Sequence, residues 1–171
     1  MKAVYYFIGA LFCFYIDTLL TFISPLQVGH TRLFFIPHLS LLYPMFIAVY
    51  GSTSTALMLG TLLGILHDLY FGPIYGVYLF GYLLSILLAD KFIKIFFRDH
   101  LMVYWMILGS LIFLELFVAL IYTVFGLIEF HILSFFIFRV VPTLFLNALL
   151  LVFLYFLMKP RLKVKTTIDI K

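Results

Sequence analysis

The fold of this chain depends most on one segment, Ser52–Ala89, which reads STSTALMLGTLLGILHDLYFGPIYGVYLFGYLLSILLA. Small residues recur at every fourth position of its first half and a carboxylate ends the row: Ser52, Ala56, Gly60, Gly64 and Asp68. The second half repeats the spacing: Gly81, Ser85 and Ala89. Residues four apart share a helix face, and rows of small residues let helix backbones approach closely inside a bilayer. The segment predicts a tight helical hairpin, turning through Gly72 and Gly76, against which other helices assemble.

The composition predicts a membrane protein. Of the 171 residues, 66% are hydrophobic and only 11% are charged, and the mean hydropathy is +1.24. A soluble domain is about half apolar and about a quarter charged. We therefore expect an all-α integral membrane protein, a compact bundle of six transmembrane helices that forms a single domain over residues 1–158.

Six apolar segments approach the length of about 20 residues that spans a bilayer. They are Ala3–Ile23, Phe34–Tyr50, Thr55–Leu69, Ile74–Ala89, Met102–Phe125 and Phe136–Met158. The second is the weakest because it contains Pro37 and Pro44. The first is expected to be an uncleaved anchor rather than a signal peptide, because Asp17 interrupts it and no small-residue cleavage site follows.

The positive charges predict the orientation in the membrane. Six spans put both termini on one side. If that side is the cytoplasm of a bacterial cell, only Arg32 and Arg139 of the 11 Lys and Arg residues face outward. This distribution obeys the positive-inside rule. We expect both termini to be cytoplasmic, with residues 159–171 as a short basic tail.

The link at residues 91–100 has a pattern of its own. Lys91, Lys94 and Arg98 share one helical face, and apolar side chains occupy another: Phe92, Ile95 and Phe96. This pattern is typical of a short helix lying in the inner membrane interface. The charges either set the topology alone or also form a docking surface for a cytoplasmic partner.

Ionisable residues inside predicted spans are costly and need partners. Asp17, Asp68 and Arg139 all fall in the outer half of the membrane, so we expect Arg139 to pair with Asp68 or Asp17. Glu115 and Asn147 lie near mid-depth, so a hydrogen bond between them is expected. Structural roles are the simpler interpretation of these residues, and contact with a partner or a ligand is the alternative.

The sequence predicts no catalytic site, metal or cofactor. His67 precedes Asp68, but adjacent residues of a helix project about 100° apart, so they do not form a catalytic pair. His38 has no metal-ligand companion at helical spacing, and Cys13 is the one cysteine. The zinc-binding H-E-x-x-H, nucleophile G-x-S-x-G and Gly-rich phosphate motifs are missing. The basic residues flank apolar segments and form no nucleic-acid surface.

Two motifs carry a family resemblance. The run from Gly60 to Asp68, followed by Gly76-Val-Tyr-Leu-Phe-Gly81, resembles the signature hairpin of the rod shape-determining protein MreD family. The run Arg139-Val-Val-Pro-Thr-Leu-Phe-Leu-Asn147 is similar to one in members from Gram-positive bacteria. Other matches are the acid late in the first helix, the proline of the second and the acid of the fifth: Asp17, Pro37 and Glu115. The likeness covers essentially the whole chain.

The resemblance implies a non-enzymatic component of the bacterial cell-wall elongation machinery, in the cytoplasmic membrane. It implies binding to MreC, work alongside MreB filaments, RodA and a class B penicillin-binding protein, and control of lateral peptidoglycan synthesis and cell shape. We expect the MreC transmembrane helix to pack beside the small residues of the hairpin: Gly60, Gly64, Gly81 and Ser85. If the chain uses that row internally, the contact must lie on another face.

The alternative function is the substrate-binding subunit of a vitamin transporter of the energy-coupling-factor type. The family resemblance implies a fold similar to that of these six-helix subunits, and the outer polar residues would then line the ligand site. Such subunits usually dock through an A-x-x-x-A row on the first helix, whereas Ala3, Gly9 and Ala10 form no row at that spacing. The proteins that copurify with the chain would separate the two functions.

Overall fold

A computed structural model describes residues 2–28, 31–96, 100–129 and 131–158. Within these ranges the helices are α1 (Lys2–Thr21), α2 (Leu39–Tyr50), α3 (Thr53–Phe71), α4 (Val77–Phe96), α5 (His100–Val124) and α6 (Ile132–Met158). Helix α6 contains a π-helical segment, Phe136–Val140. Two short antiparallel strands, β1 (Leu26–Val28) and β2 (Thr31–Leu33), follow α1. The predicted basic tail lies outside the described residues.

Four of the described helices are long and apolar enough to cross a membrane: α1, α3, α5 and α6. This supports the predicted all-α membrane class. Helix α2 has 12 residues and is therefore only about 18 Å long, which is shorter than a hydrocarbon core of about 30 Å. The count of six spans stays a prediction.

The second apolar segment is helical over only part of its length. Residues 34–38 belong to no helix or strand, and α2 begins at Leu39. Pro37 favours this break, because the residue before a proline and the proline itself do not fit a helix interior. Every residue of α2 is buried, and the helix packs against α1, α3, α4, α5 and α6. The short helix is thus the centre of the bundle.

The hairpin of α3 and α4 forms the most extensive helix contact in the described structure. A Cβ added at Gly64 would lie 2.7 Å from the Leu79 Cα of α4, so the two backbones approach closely at this point. Gly60 faces the Ile86 side chain of α4, and a Cβ at Gly81 would lie 2.5 Å from the Leu114 Cδ1 of α5. The small-residue row is therefore filled by the chain itself.

The ends of the hairpin are defined by backbone geometry. Gly76 has a φ of +96°, a conformation that glycine adopts at little cost. The Gly72 N–H donates to the Asp68 carbonyl, 3.2 Å away, and ends α3. At the other end, α4 continues to Phe96, so residues 91–96 are its last turns. Residues 97–99 lie outside the described ranges, and the predicted interfacial helix falls partly on them.

Gly64→Ala is expected to destabilise the protein by about 1–3 kcal/mol, the usual cost of overpacking, because the new methyl group would press on the α4 backbone. Gly60→Ala should cost less, because the atom it meets is the end of the flexible Ile86 side chain. Gly109→Ala is the matched control, since nothing lies within 4 Å of a Cβ there. Reversible unfolding in detergent measures all three. Equal stability of the Gly64 and Gly109 variants would contradict the close approach.

A buried polar cluster as the candidate functional site

The non-helical residues 34–38 carry backbone groups that lie among helices, where each N–H needs a protein partner. The Phe34 N–H donates to the Phe138 carbonyl, at 2.8 Å, within the π-helical segment of α6. The Phe35 N–H donates to the Ser24 hydroxyl at 3.0 Å. From Phe34 to Ser40, every backbone N–H has a hydrogen-bond partner, and Pro37 has none to donate.

Two side chains of α6 bind the middle of this segment. The Asn147 Oδ1 accepts the His38 N–H at 2.8 Å, and its Nδ2 donates to the Ile36 carbonyl at 2.7 Å. The Thr143 hydroxyl accepts the Ile36 N–H at 3.2 Å and donates to the Phe34 carbonyl, also at 3.2 Å. The amide and the hydroxyl thus replace the helical hydrogen bonds that this segment lacks.

Two aspartates cap helices other than their own. The Asp17 carboxylate of α1 accepts the N–H groups of Leu39 and Ser40 at 2.8 and 2.7 Å, where α2 begins. The Asp68 carboxylate of α3 accepts those of Tyr78 and Leu79 at 2.8 and 2.9 Å, where α4 begins. The N-terminus of a helix has free N–H groups and a partial positive charge. Both carboxylates are therefore balanced by main chain.

The prediction that Arg139 pairs with Asp17 or Asp68 is wrong. The Arg139 Nε donates to the Glu115 Oε2 of α5 at 2.8 Å, because both aspartates are already bound to helix N-termini. Glu115 is 3% exposed and Arg139 is 27% exposed. The pair therefore joins α5 to α6 at a buried carboxylate.

The predicted hydrogen bond between Glu115 and Asn147 is wrong as well. The second carboxylate oxygen of Glu115 lies 2.8 Å from the His38 Nε2, and Asn147 binds the backbone on either side of Pro37. The non-helical segment 34–38 lies between the two side chains. A comparison of residue depths along straight helices cannot predict that a non-helical segment inserts between two of them.

His38, which sequence reasoning set aside, is a central residue of the cluster. Its side chain is 1% exposed, binds Glu115 and stacks on the His67 ring with centroids 6.1 Å apart. Sequence reasoning also missed Thr143 and Ser40. The sequence offers one signal for these residues. The proline before His38 marks a helix start, and polar groups next to a helix start need hydrogen-bond partners.

A second chain of hydrogen bonds runs from α2 to α3. The Ser40 hydroxyl lies 2.8 Å from the Tyr82 hydroxyl, which lies 3.3 Å from the His67 Nδ1. The Asp68 carboxylate binds α4 rather than His67. Ser40 and Tyr82 have no exposed surface, so a substrate cannot reach this hydroxyl–histidine chain in the folded bundle. The arrangement fixes helix positions rather than presenting a nucleophile.

The described residues contain no group of three or more His, Cys, Asp or Glu side chains that could hold a metal ion. The predicted small residues and buried polar residues instead occupy two connected regions. Gly60 and Gly64 lie in the α3–α4 interface and Gly81 packs against α5, whereas the polar residues surround the start of α2. Together these side chains connect all six helices.

The chain matches a known protein family. A family model described as rod shape-determining protein MreD matches residues 1–164. No curated protein and no solved structure matches the chain.

Replacing Glu115 or Arg139 singly by Gln is expected to cost about 1–3 kcal/mol, because each change removes the charged partner of a largely buried group, while Glu115 keeps its contact with His38 and Arg139 keeps some exposure. The double variant should be more stable than the sum of the two losses predicts, with a coupling of about 1–3 kcal/mol. Unfolding in detergent measures the cycle, with Lys91→Gln on the exposed surface of α4 as the control. Additive losses would show that the two side chains do not interact.

Proposed function

Because the chain belongs to the rod shape-determining protein MreD family, we propose that it is a non-enzymatic membrane component of the rod complex that binds MreC and helps control lateral peptidoglycan synthesis. Family membership and the four apolar helices make it a multi-pass membrane protein with a role in rod shape determination. The match over residues 1–164 is the observation that carries the proposal.

The buried cluster supports a binding role rather than a chemical one. Helix N-termini bind the carboxylates of Asp17 and Asp68, and an ion pair with Arg139 binds that of Glu115. The polar groups of the cluster therefore satisfy one another. A partner would therefore meet the outer surface of a bundle whose helices are held in fixed relation. Such a protein influences a partner by positioning it.

Gly60 and Gly64 pack against α4 of the same chain. The MreC contact must therefore lie on another face of the bundle. A groove of about 250 Å³ lies between α5 and α6, and its lining is apolar: Tyr104, Trp105, Leu108, Ala148, Leu151 and Val152. Gly109 lies one turn after Trp105, is exposed and has open space beside it. Small residues favour close helix approach in lipid. We assign the MreC transmembrane helix to this groove.

The orientation follows from the charge distribution. With both termini in the bacterial cytoplasm, the α4–α5 link and the basic tail face the side on which MreB filaments lie. The β1–β2 hairpin and the start of α6 then face outward, where RodA and the class B penicillin-binding protein build the wall. The protein would connect the two sides through MreC.

Capture of the tagged protein from native membranes in mild detergent should recover MreC, and Gly109→Leu should reduce that recovery severalfold by adding bulk to α5 beside the groove. Ser54→Leu adds the same side chain at an exposed position of α3 and should leave recovery unchanged. Undiminished recovery with Gly109→Leu would exclude the groove as the contact. Recovery of an energy-coupling ATPase pair instead of MreC would overturn the proposal and favour a transporter subunit.

Reporter fusions test the orientation separately. A reporter that is active only in the cytoplasm is expected to be active at both the N-terminus and the C-terminus. A fusion in the α5–α6 loop at Glu129 should be inactive, because that loop faces outward in the proposed topology. Activity at the loop, or inactivity at either terminus, would contradict the six-span orientation.

A further inference from the structure

A cavity of about 410 Å³ lies next to the buried cluster and has an amphipathic lining. One part of its wall is apolar: Phe34, Ile128, Phe135 and Phe138. The other part is polar: Arg32, Glu129, His131, Ser134 and Arg139. Residues 29, 30 and 130, in the adjoining loops, lie outside the described ranges. A cavity with both kinds of wall fits a molecule that has a polar head and an apolar body.

Arg139 connects this cavity to the interior. Its Nε donates to Glu115, and its guanidinium carbon lies 5.6 Å from the centre of the Phe135 ring. A guanidinium carries five N–H donors, and within the described structure only the Nε has a hydrogen-bond acceptor. The terminal nitrogens therefore remain available to a ligand. Arginine binds phosphate through such pairs of N–H groups.

The charges around the cavity are balanced and spatially mixed. Glu115 already balances Arg139, while Arg32 and Glu129 are both exposed residues of the lining. A purely anionic headgroup would meet the Glu129 carboxylate without compensation. A headgroup with a phosphate and an ammonium group would satisfy arginine and glutamate together.

We propose that this cavity binds a zwitterionic phospholipid with a primary ammonium group, of the phosphatidylethanolamine type. The phosphate lies at Arg139 and Arg32, and the ammonium donates to Glu129. The acyl chains follow the phenylalanine wall and leave past the exposed side chains of Ile132 and Leu133. The proposal concerns this chain alone and does not depend on MreC.

The test is native mass spectrometry of the protein released from nanodiscs with equal parts of phosphatidylethanolamine, phosphatidylcholine and phosphatidylglycerol. The wild-type protein should retain phosphatidylethanolamine in preference to both others. Arg32→Gln should lower its retention about tenfold, the effect of one charge-assisted hydrogen bond. Glu129→Gln should abolish the preference over phosphatidylcholine, whose quaternary ammonium has no N–H to donate. Arg139 is left intact because it also holds Glu115.

Lys91→Gln, a change of the same type on α4, is the control and should retain lipid like the wild type. Equal retention of the three lipids by the wild type would overturn the proposal and indicate unspecific boundary lipid. Preference for phosphatidylglycerol would overturn it in favour of a simple anion site. A photo-crosslinker at Ser134 that captures a protein rather than lipid in native membranes would overturn it in favour of a peptide ligand.

Discussion

Hydrogen bonding of the non-helical backbone before α2 is the constraint on which the rest of the structure depends. An unpaired N–H inside a membrane protein costs several kcal/mol, and the segment from Phe34 to Ser40 cannot pair with itself. Its partners come from α1 and from α6, chiefly Asp17 and Asn147. These helices must therefore surround α2. The bundle is organised around this non-helical segment, and the other helices supply its hydrogen-bond partners.

The need to pair free backbone N–H groups also explains where the charged side chains lie. Asp17 and Asp68 each bind two N–H groups at the start of another helix, where the helix dipole favours a negative charge. They need no cation. Glu115 is left to balance Arg139, and the His38 ring completes its coordination. Backbone N–H groups thus balance the charges of the two aspartates, and side chains balance that of Glu115. Each carboxylate fixes a different pair of elements.

Periodicity and hydropathy predicted the features that depend on one segment at a time. The four-residue spacing of Gly60 and Gly64 predicted a close helix hairpin, and apolar length predicted the helices around it. The break before α2 was missed because hydropathy does not distinguish an irregular apolar segment from a helical one. The partner of Asn147 was missed for the same reason, and that of Arg139 because Asp17 and Asp68 bind helix N-termini instead. The role of His38 depends on its contacts with Glu115 and His67, which the preceding Pro37 alone does not specify.

The contrast between the two helix pairs shows what polar contacts contribute in lipid. Helices α3 and α4 pack tightly because glycine removes bulk between them, whereas α5 and α6 share fewer contacts and leave a groove on one side. Apolar contact alone is a weak determinant of helix spacing in lipid, because lipid tails compete equally well. The Glu115–Arg139 pair supplies a defined distance between α5 and α6 at one level. The helices can therefore diverge on one side of this pair and leave the apolar groove without losing their relative position.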